Sequence, residues 1–234
     1  LNFVYGYFIL PESLDKQHRR ELDWTRANPV GALLNLKKYP QLIGLVSAIF
    51  ILAVGSHAVQ SNWSYFTIEK FHWNQKMIGI SLGAVGLLVG IVQGGLIRFI
   101  NPKLGNEKSI YIGLLLYAAG LLLFAFASQS WMMFVFLIPY CLGGIAGPAL
   151  QSTISGNVPP NEQGELQGAL TSMISLTSII GPPLMTGLFA YFTKPGTLLH
   201  FSGAAFFVGS LLMLASAIIA YKTLHAHILK TAGS

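Results

Sequence analysis

Four polar residues recur at helical spacing inside one apolar stretch of the sequence, Leu42–Phe66. A helix would place them on one face, called here the His57 face: His57, Gln60, Ser61 and Ser64. Their imidazole, amide and hydroxyl groups can donate and accept hydrogen bonds, and an imidazole can also bind a proton near neutral pH. The His57 face therefore predicts contact with an amphipathic small molecule. The alternative is that these side chains bond to neighbouring helices.

Three polar residues in other apolar stretches complete the predicted substrate-binding set: Gln93, Tyr140 and Gln151. No Asp or Glu lies inside any apolar stretch, so His57 is the one residue at that depth that titrates near neutral pH. We expect His57 to be a ligand or structural contact rather than the sole proton carrier, because a single histidine inside a membrane span readily serves as a hydrogen-bonding group.

A second set of candidates concerns helix packing and gating. The stretch Leu166–Phe192 is rich in glycine, serine and threonine, and small residues let helix backbones approach closely in lipid. Pro182-Pro183 interrupts the backbone hydrogen-bond pattern and predicts a kink. The predicted gating and packing residues are Gly168, Ser172, Gly181 and Pro182.

The elements that must position these residues are membrane-spanning helices. A helix that rises about 1.5 Å per residue needs about 20 apolar residues to cross a hydrocarbon core about 30 Å thick. Six stretches meet this condition: Leu42–Phe66, Ile78–Ile97, Ile110–Ala127, Trp131–Leu150, Leu166–Phe192 and Phe201–Tyr221. Charged residues make up only 9% of the chain, too few to cover the surface of a large soluble helical protein. The sequence predicts an all-α membrane protein.

Basic residues give the predicted orientation in the membrane. Eleven of the 14 Lys and Arg residues fall on one side, in residues 11–41, in the loop after Ile97 and in the C-terminal tail. Loops rich in Lys and Arg stay in the cytoplasm. We therefore predict the end of a preceding transmembrane helix at residues 1–10, a cytoplasmic linker between bundles at residues 11–41, a six-helix bundle at residues 42–221 and a cytoplasmic tail at residues 222–234.

Several functions are disfavoured by the motifs. The sequence has no phosphate-binding Walker loop, no catalytic carboxylate pair and no Ser/His/Asp or Cys/His constellation, so we predict that it is not an enzyme. The pair His225 and His227 would lie on different helix faces, and we predict no metal site. The net charge of +6 arises from loops between apolar stretches, which indicates no nucleic-acid partner.

Five segments carry a resemblance to a known family. They are LNFVYGYFILPESL, Asn28-Pro29, FHWNQKMIGISLGAVGLL, GGIAGPALQSTIS and EQGELQGALTSMISLTSIIGP. These resemble the tetracycline/proton antiporters of the major facilitator superfamily, almost end to end over their C-terminal half. The resemblance implies the C-terminal half of a twelve-helix, multi-pass inner-membrane transporter. It also implies drug efflux and resistance, the N-terminal half as partner, and the proton as coupling ion with no other cofactor.

Two positions depart from the family's pattern. Val89 stands where the family typically carries a histidine, and Tyr117 stands where it often carries an aspartate. Both bear on tetracycline recognition and coupling, and neither bears on the fold. The resemblance implies that the essential acidic groups lie in the other half. An exporter of another small molecule and a membrane module that only assembles with a partner remain as alternatives.

Overall fold

The computed structural model describes Phe8, residues 39–197 and residues 199–232, and its regular secondary structure within those ranges is helical. Most of the predicted helix end at residues 1–10 and of the predicted linker lies outside the described residues. The elements are α1 (Pro40–Phe71), α2 (Gln75–Ile91), a π-helical turn (Val92–Leu96), α3 (Ile97–Phe126), α4 (Ser130–Gly143), α5 (Ala146–Gly156), a 3-10 turn (Pro160–Glu162), α6 (Gln163–Thr193) and α7 (Ala204–Ala232).

Five of the described helical segments are long and apolar enough to cross a membrane, where the sequence analysis predicted six separate helices. The difference arises because the 52-residue segment Gln75–Phe126 joins the second and third predicted stretches. At about 1.5 Å per residue this segment would be about 78 Å long if it were straight. It is interrupted at Gly105, whose φ of 76° and ψ of 161° are not helical. Glycine tolerates this conformation because it has no Cβ.

The fourth predicted stretch, Trp131–Leu150, is also divided. It contains the end of α4 at Gly143 and the start of α5 at Ala146, with a short turn between them. The amide of Gly144 donates to the carbonyl of Cys141 in this turn (3.0 Å). α5 then continues to Gly156, past the predicted end of the stretch. The last helix likewise continues past the predicted end of its span, from Ala204 to Ala232.

The core lies where α1, α3 and α7 meet. Phe124 of α3 contacts Trp63 of α1, with ring centroids 5.3 Å apart, and Phe206 of α7, at 5.8 Å. All three rings are buried. Ser210 of α7 donates a buried hydrogen bond to the carbonyl of Ala118 on α3 (2.8 Å). In lipid, close packing and such bonds between helices replace the hydrophobic driving force that water supplies elsewhere.

Two glycines bring α3 and α4 into backbone contact. A methyl group added at Gly120 would lie 2.7 Å from the backbone N and Cα of Tyr140. A methyl group added at Gly143 would lie 2.6 Å from the backbone N of Tyr117. Each glycine therefore accommodates the backbone of the tyrosine on the opposite helix, and the two helices are joined by a reciprocal contact.

Helices α2 and α6 pack on α1 from two directions. The indole of Trp63 donates to the hydroxyl of Ser81 on α2 (2.9 Å). Tyr65 contacts Phe189 of α6, with ring centroids 6.2 Å apart. Because α2 and α6 contact different sides of α1, different polar residues of α1 face each of these two helices.

Candidate functional site: the gap between α2 and α6

His57 lies in the contact between α1 and α6. Its side chain is only 8% exposed. A methyl group added at Gly181 would lie 2.6 Å from Cγ of His57 and closer still to Cδ2, so the imidazole rests directly on the bare backbone of Gly181. The structure therefore brings together two residues that the sequence analysis assigned to different sets. It does not bear on whether either residue binds substrate.

Gln60 projects into the open gap beside this contact. It is three residues from both His57 and Trp63, so it points about 60° away from each around the helix. Since His57 faces α6 and Trp63 faces α2, Gln60 points between these two helices. Its side chain is exposed, and its amide lies 3.4 Å from the Ser56 hydroxyl. The amide therefore retains donors and an acceptor for a ligand.

The remaining hydroxyls of the His57 face are partly buried. Ser61 and Ser64 both have intermediate exposure. Both lie closer to the direction of His57 than to that of Trp63 around α1. The His57 face is thus divided by its surroundings into a side that faces α6 and an open edge at Gln60.

Gln93 lies in the π-helical turn that follows α2. Its side chain is exposed, and its Nε2 is the polar side-chain atom closest to Gly144, at 3.9 Å from where a Cβ of that glycine would be. The turn therefore faces the break between α4 and α5. Two irregular backbone segments meet here, and π-helical turns in proteins are frequent at functional sites. Gln93 remains a predicted ligand contact with an accessible amide.

Tyr140 was predicted to contact substrate, but in the structure its hydroxyl contacts another tyrosine. Its hydroxyl lies 3.3 Å from that of Tyr117, and the two rings meet edge to face at 4.8 Å. Tyr140 is only 7% exposed. Tyr117, at a position where the resemblance expects an aspartate, thus forms a partly buried pair of hydroxyls with Tyr140. Its role as a partner of Tyr140 was missed by the sequence analysis.

Gln151 links α5 to α6. Its Nε2 donates to Oε1 of Gln167 (2.9 Å), and the amide of Gln167 lies 3.3 Å from the Ser155 hydroxyl. Gln151 is nevertheless exposed, so a ligand could still reach it. Sequence reasoning had no signal for the pairing with Gln167, because the two residues lie on different helices.

The small polar residues of α6 are satisfied by their own helix. Ser172 donates to the carbonyl of Gly168 (2.8 Å), and Ser175 donates to that of Thr171 (2.9 Å). Such bonds leave little hydrogen-bonding capacity for a ligand, which favours a packing role. Five small residues of α6 are exposed along one side, called here the α6 small face: Gly164, Gly168, Thr171, Ser175 and Ser178. Around Pro182, the helix continues and Thr186 donates to the Pro182 carbonyl (2.7 Å).

A matching feature on α2 was missed by the sequence analysis. Four glycines of α2 and one of the π-helical turn that follows it recur at intervals of three or four residues, and they are called here the α2 glycine face: Gly79, Gly83, Gly86, Gly90 and Gly94. All five are exposed, and a methyl group added to any of them would meet nothing within 4 Å among the described residues. Their spacing was the signal that could have revealed this face from the sequence.

The described residues contain no group of three or more His, Cys, Asp or Glu side chains that could hold a metal ion. The fold defines a helical membrane protein with exposed small-residue faces on α2 and α6 and with accessible amides at Gln60 and Gln93. In secondary transporters, the substrate site lies near the middle of the bilayer, between two such bundles.

Comparison with known proteins gives the class. Residues 45–227 match the model of the Major Facilitator Superfamily, and the chain belongs to this superfamily. It is similar to the class C tetracycline resistance protein of Escherichia coli, with 33% identity over 92% of this chain and 52% of that protein. It is also similar to the class E protein of Escherichia coli, with 37% identity over 81% of this chain and 47% of that protein. The chain thus spans about half the length of the curated relatives it matches.

A solved structure supports the fold. The crystal structure of the human organic anion transporter MFSD10 (TETRAN) matches 94% of this chain and 54% of its own chain, with a TM-score of 0.78. The sequence identity is 20%, so this similarity concerns the fold alone. The family match and the five described segments that are long and apolar enough to cross a membrane together establish an integral membrane protein of the Major Facilitator Superfamily.

Proposed function

We propose that the chain is the C-terminal half of a proton-coupled exporter that moves tetracycline or a similar amphipathic drug by alternating access. The observation that carries the proposal is the gap at Gln60, which opens between α2 and α6. An exposed amide inside a membrane bundle is costly unless it lines a cavity or meets a partner. The similarity to tetracycline resistance proteins supports this substrate class.

The proposed partner is the N-terminal half of the same transporter. The α2 glycine face and the α6 small face are both exposed, and faces of this kind allow close approach of another helix in lipid. The relatives are about twice as long as this chain, which supports a second bundle as the occupant of both faces. The substrate would lie between the two halves, near the middle of the bilayer.

The proposed membrane arrangement has six crossings. A segment of 52 residues is too long for one crossing of a core about 30 Å thick, so it would cross twice and turn near Gly105. With the basic residues on the cytoplasmic side, the linker and the C-terminus lie in the cytoplasm of a cell whose inner membrane holds the protein. The proton would be the coupling ion, and no other cofactor is proposed.

Tyr117 favours a second candidate, an exporter of another small amphipathic molecule. The resemblance places an aspartate at this position, but the Tyr117 hydroxyl is partly buried beside that of Tyr140 and supplies no charge. A cavity with one charge fewer would favour a different balance of polar groups on the substrate.

Transport by the full-length protein tests the proposal. Inside-out vesicles would be given a pH gradient and then tetracycline or members of a panel of planar, amphipathic drugs. We expect gradient-dependent accumulation of tetracycline that a protonophore abolishes. Accumulation of other compounds without tetracycline would support the second candidate. If no compound accumulates while the protein is folded in the membrane, the chain is instead an assembly module.

The 234-residue chain without its partner provides the matched control. Alternating access needs two bundles that rock about a central site, so we expect no transport by the fragment and recovery on co-expression with the N-terminal half. Gradient-driven export by the fragment alone would contradict the proposal.

A further inference from the structure

The imidazole of His57 is closely packed between α1 and α6. It is 8% exposed and rests on the backbone of Gly181, where even a methyl group would overlap the ring. Within the ranges that the structure describes, neither ring nitrogen makes a hydrogen bond to another residue. A buried imidazole that lacks partners is tolerated when it is neutral and becomes costly when it is charged.

The charged groups on the neighbouring helices are distant from this contact. On α1, the nearest are Glu69 and Lys70, at least three turns further along the helix. On α6, Glu165 and Lys194 lie towards opposite ends, each more than three turns from Gly181. No carboxylate on the described part of α1 or α6 is therefore placed to neutralise an imidazolium at His57.

The other helices that contact α1 offer no counter-charge either. α5 packs on α1 and contains no charged residue. α2 approaches from the side of Trp63, and its one charged residue, Lys76, lies in its first turn. α7 approaches at Gly55, and the charged residue of its described side chains is Lys222 near the opposite end of α1, beside the contact between Gly44 and Thr223.

We propose that His57 and Gly181 form a proton-sensitive joint between α1 and α6. The neutral ring fits the closed contact, whereas a protonated ring loses most of its hydration there, because the residue is only 8% exposed and no described carboxylate faces it. The proton therefore binds better when the helices have separated. As the pH falls through the usual titration range of histidine, the ratio of separated to closed states rises by up to tenfold per pH unit for one proton.

The consequence of this joint for transport rests on the proposed function. The joint itself can be tested without measuring transport. As the local pH changes, the joint would shift the equilibrium between the closed and the separated arrangements of α1 and α6. It does not require His57 to carry the transported proton, so the expectation that proton movement depends mainly on the other half remains a separate prediction.

The test is a distance measurement in the full-length protein in lipid nanodiscs, without substrate or gradient. Spin labels are attached at Ile68→Cys and Tyr191→Cys, two exposed positions near the same ends of α1 and α6, in a cysteine-free background that includes Cys141→Ala. Double electron–electron resonance then gives the distance distribution at pH 8 and pH 5. We expect a longer-distance population that grows at pH 5, and no such growth in His57→Asn, which is polar but does not titrate in this range.

Two further variants test the contact itself. Gly181→Ala should displace the ring and give the longer distance at both pH values. Adding His57→Ala to Gly181→Ala removes the overlap and should restore the shorter distance without pH dependence. The joint is overturned if the distances in the parent protein do not change with pH, or if they change equally in His57→Asn. Either result would leave the transport assay above unaffected, so failure of the joint and failure of the proposed function are distinguishable.

Discussion

Gly143→Ala should lower the stability of the bundle, unlike a glycine-to-alanine substitution at a helix position with free space. The added methyl would lie 2.6 Å from the backbone N of Tyr117 and 2.7 Å from its Cα. An ordinary contact needs about 3.4 Å or more, so α3 and α4 would have to separate by close to 1 Å. Since the obstructing atoms are backbone, no side-chain rotation can relieve the overlap.

The expected magnitude follows from two opposing effects. Overpacking of this kind costs about 1–3 kcal/mol. Replacing glycine by alanine inside a helix returns about 1 kcal/mol. Separation of the helices would also stretch the bond between the Tyr117 and Tyr140 hydroxyls, which is already long at 3.3 Å and contributes about 1 kcal/mol. We therefore expect a net loss of about 1–3 kcal/mol.

Thermal unfolding of the full-length protein in detergent, followed by tryptophan fluorescence, measures this loss. A loss of about 1–3 kcal/mol corresponds to roughly 2–12 °C in Tm for 150–250 residues and to roughly half that for a protein of twice the length. Gly156→Ala is the matched control, because a methyl group there meets nothing within 4 Å and should leave Tm unchanged or slightly raised. Tyr117→Ala should not rescue Gly143→Ala, since the obstructing backbone atoms remain. A Tm of Gly143→Ala within about a degree of the control would refute the close contact between α3 and α4.

Three further outcomes are expected in the full-length protein. Gln60→Ala should weaken substrate binding several-fold, the equivalent of about 1 kcal/mol for one hydrogen bond, with Tm unchanged, and a fall in Tm without loss of affinity would show that Gln60 is a packing contact. Tyr140→Phe and Tyr117→Phe should each cost about 1 kcal/mol or less in a denaturation assay, and the double variant should cost less than the sum because both remove the same bond. His200→Ala should change Tm very little at any salt concentration, because the Glu69–His200 pair is half-exposed and such pairs contribute about 0–1 kcal/mol, so a drop of several degrees would contradict this.

Much of the fold follows from the sequence because membrane crossing is a local property. A stretch of about 20 apolar residues must satisfy its backbone hydrogen bonds within itself, which makes it a helix wherever its neighbours lie. All six predicted stretches accordingly fall within helical segments, apart from Ala127 at the end of the third stretch, the short turn at Gly144 and the first residues of the last stretch. The five continuous segments do not confirm the count of six helices, because the loop after Ile97 is itself largely helical up to Gly105.

The candidate site was only partly accessible to this reasoning. Helical spacing correctly grouped the His57 face on one side of α1, but it could not separate the buried His57 from the exposed Gln60. The pairing of Tyr140 with Tyr117, and that of Gln151 with Gln167, depends on contacts between helices. The role of each residue in substrate binding remains a prediction.

By itself, the sequence determined that this protein is a helical membrane bundle and which side chains share a helix face, because length, apolarity and a period of 3.6 residues act along the chain. Only the tertiary structure decided which faces meet. In lipid there is little penalty for turning an apolar face in any direction, so the partner of each face is selected by close fit. Gly181 accommodates the ring of His57 and Gly143 accommodates the backbone of Tyr117, whereas a methyl group added to a glycine of α2 would meet no other described residue within 4 Å.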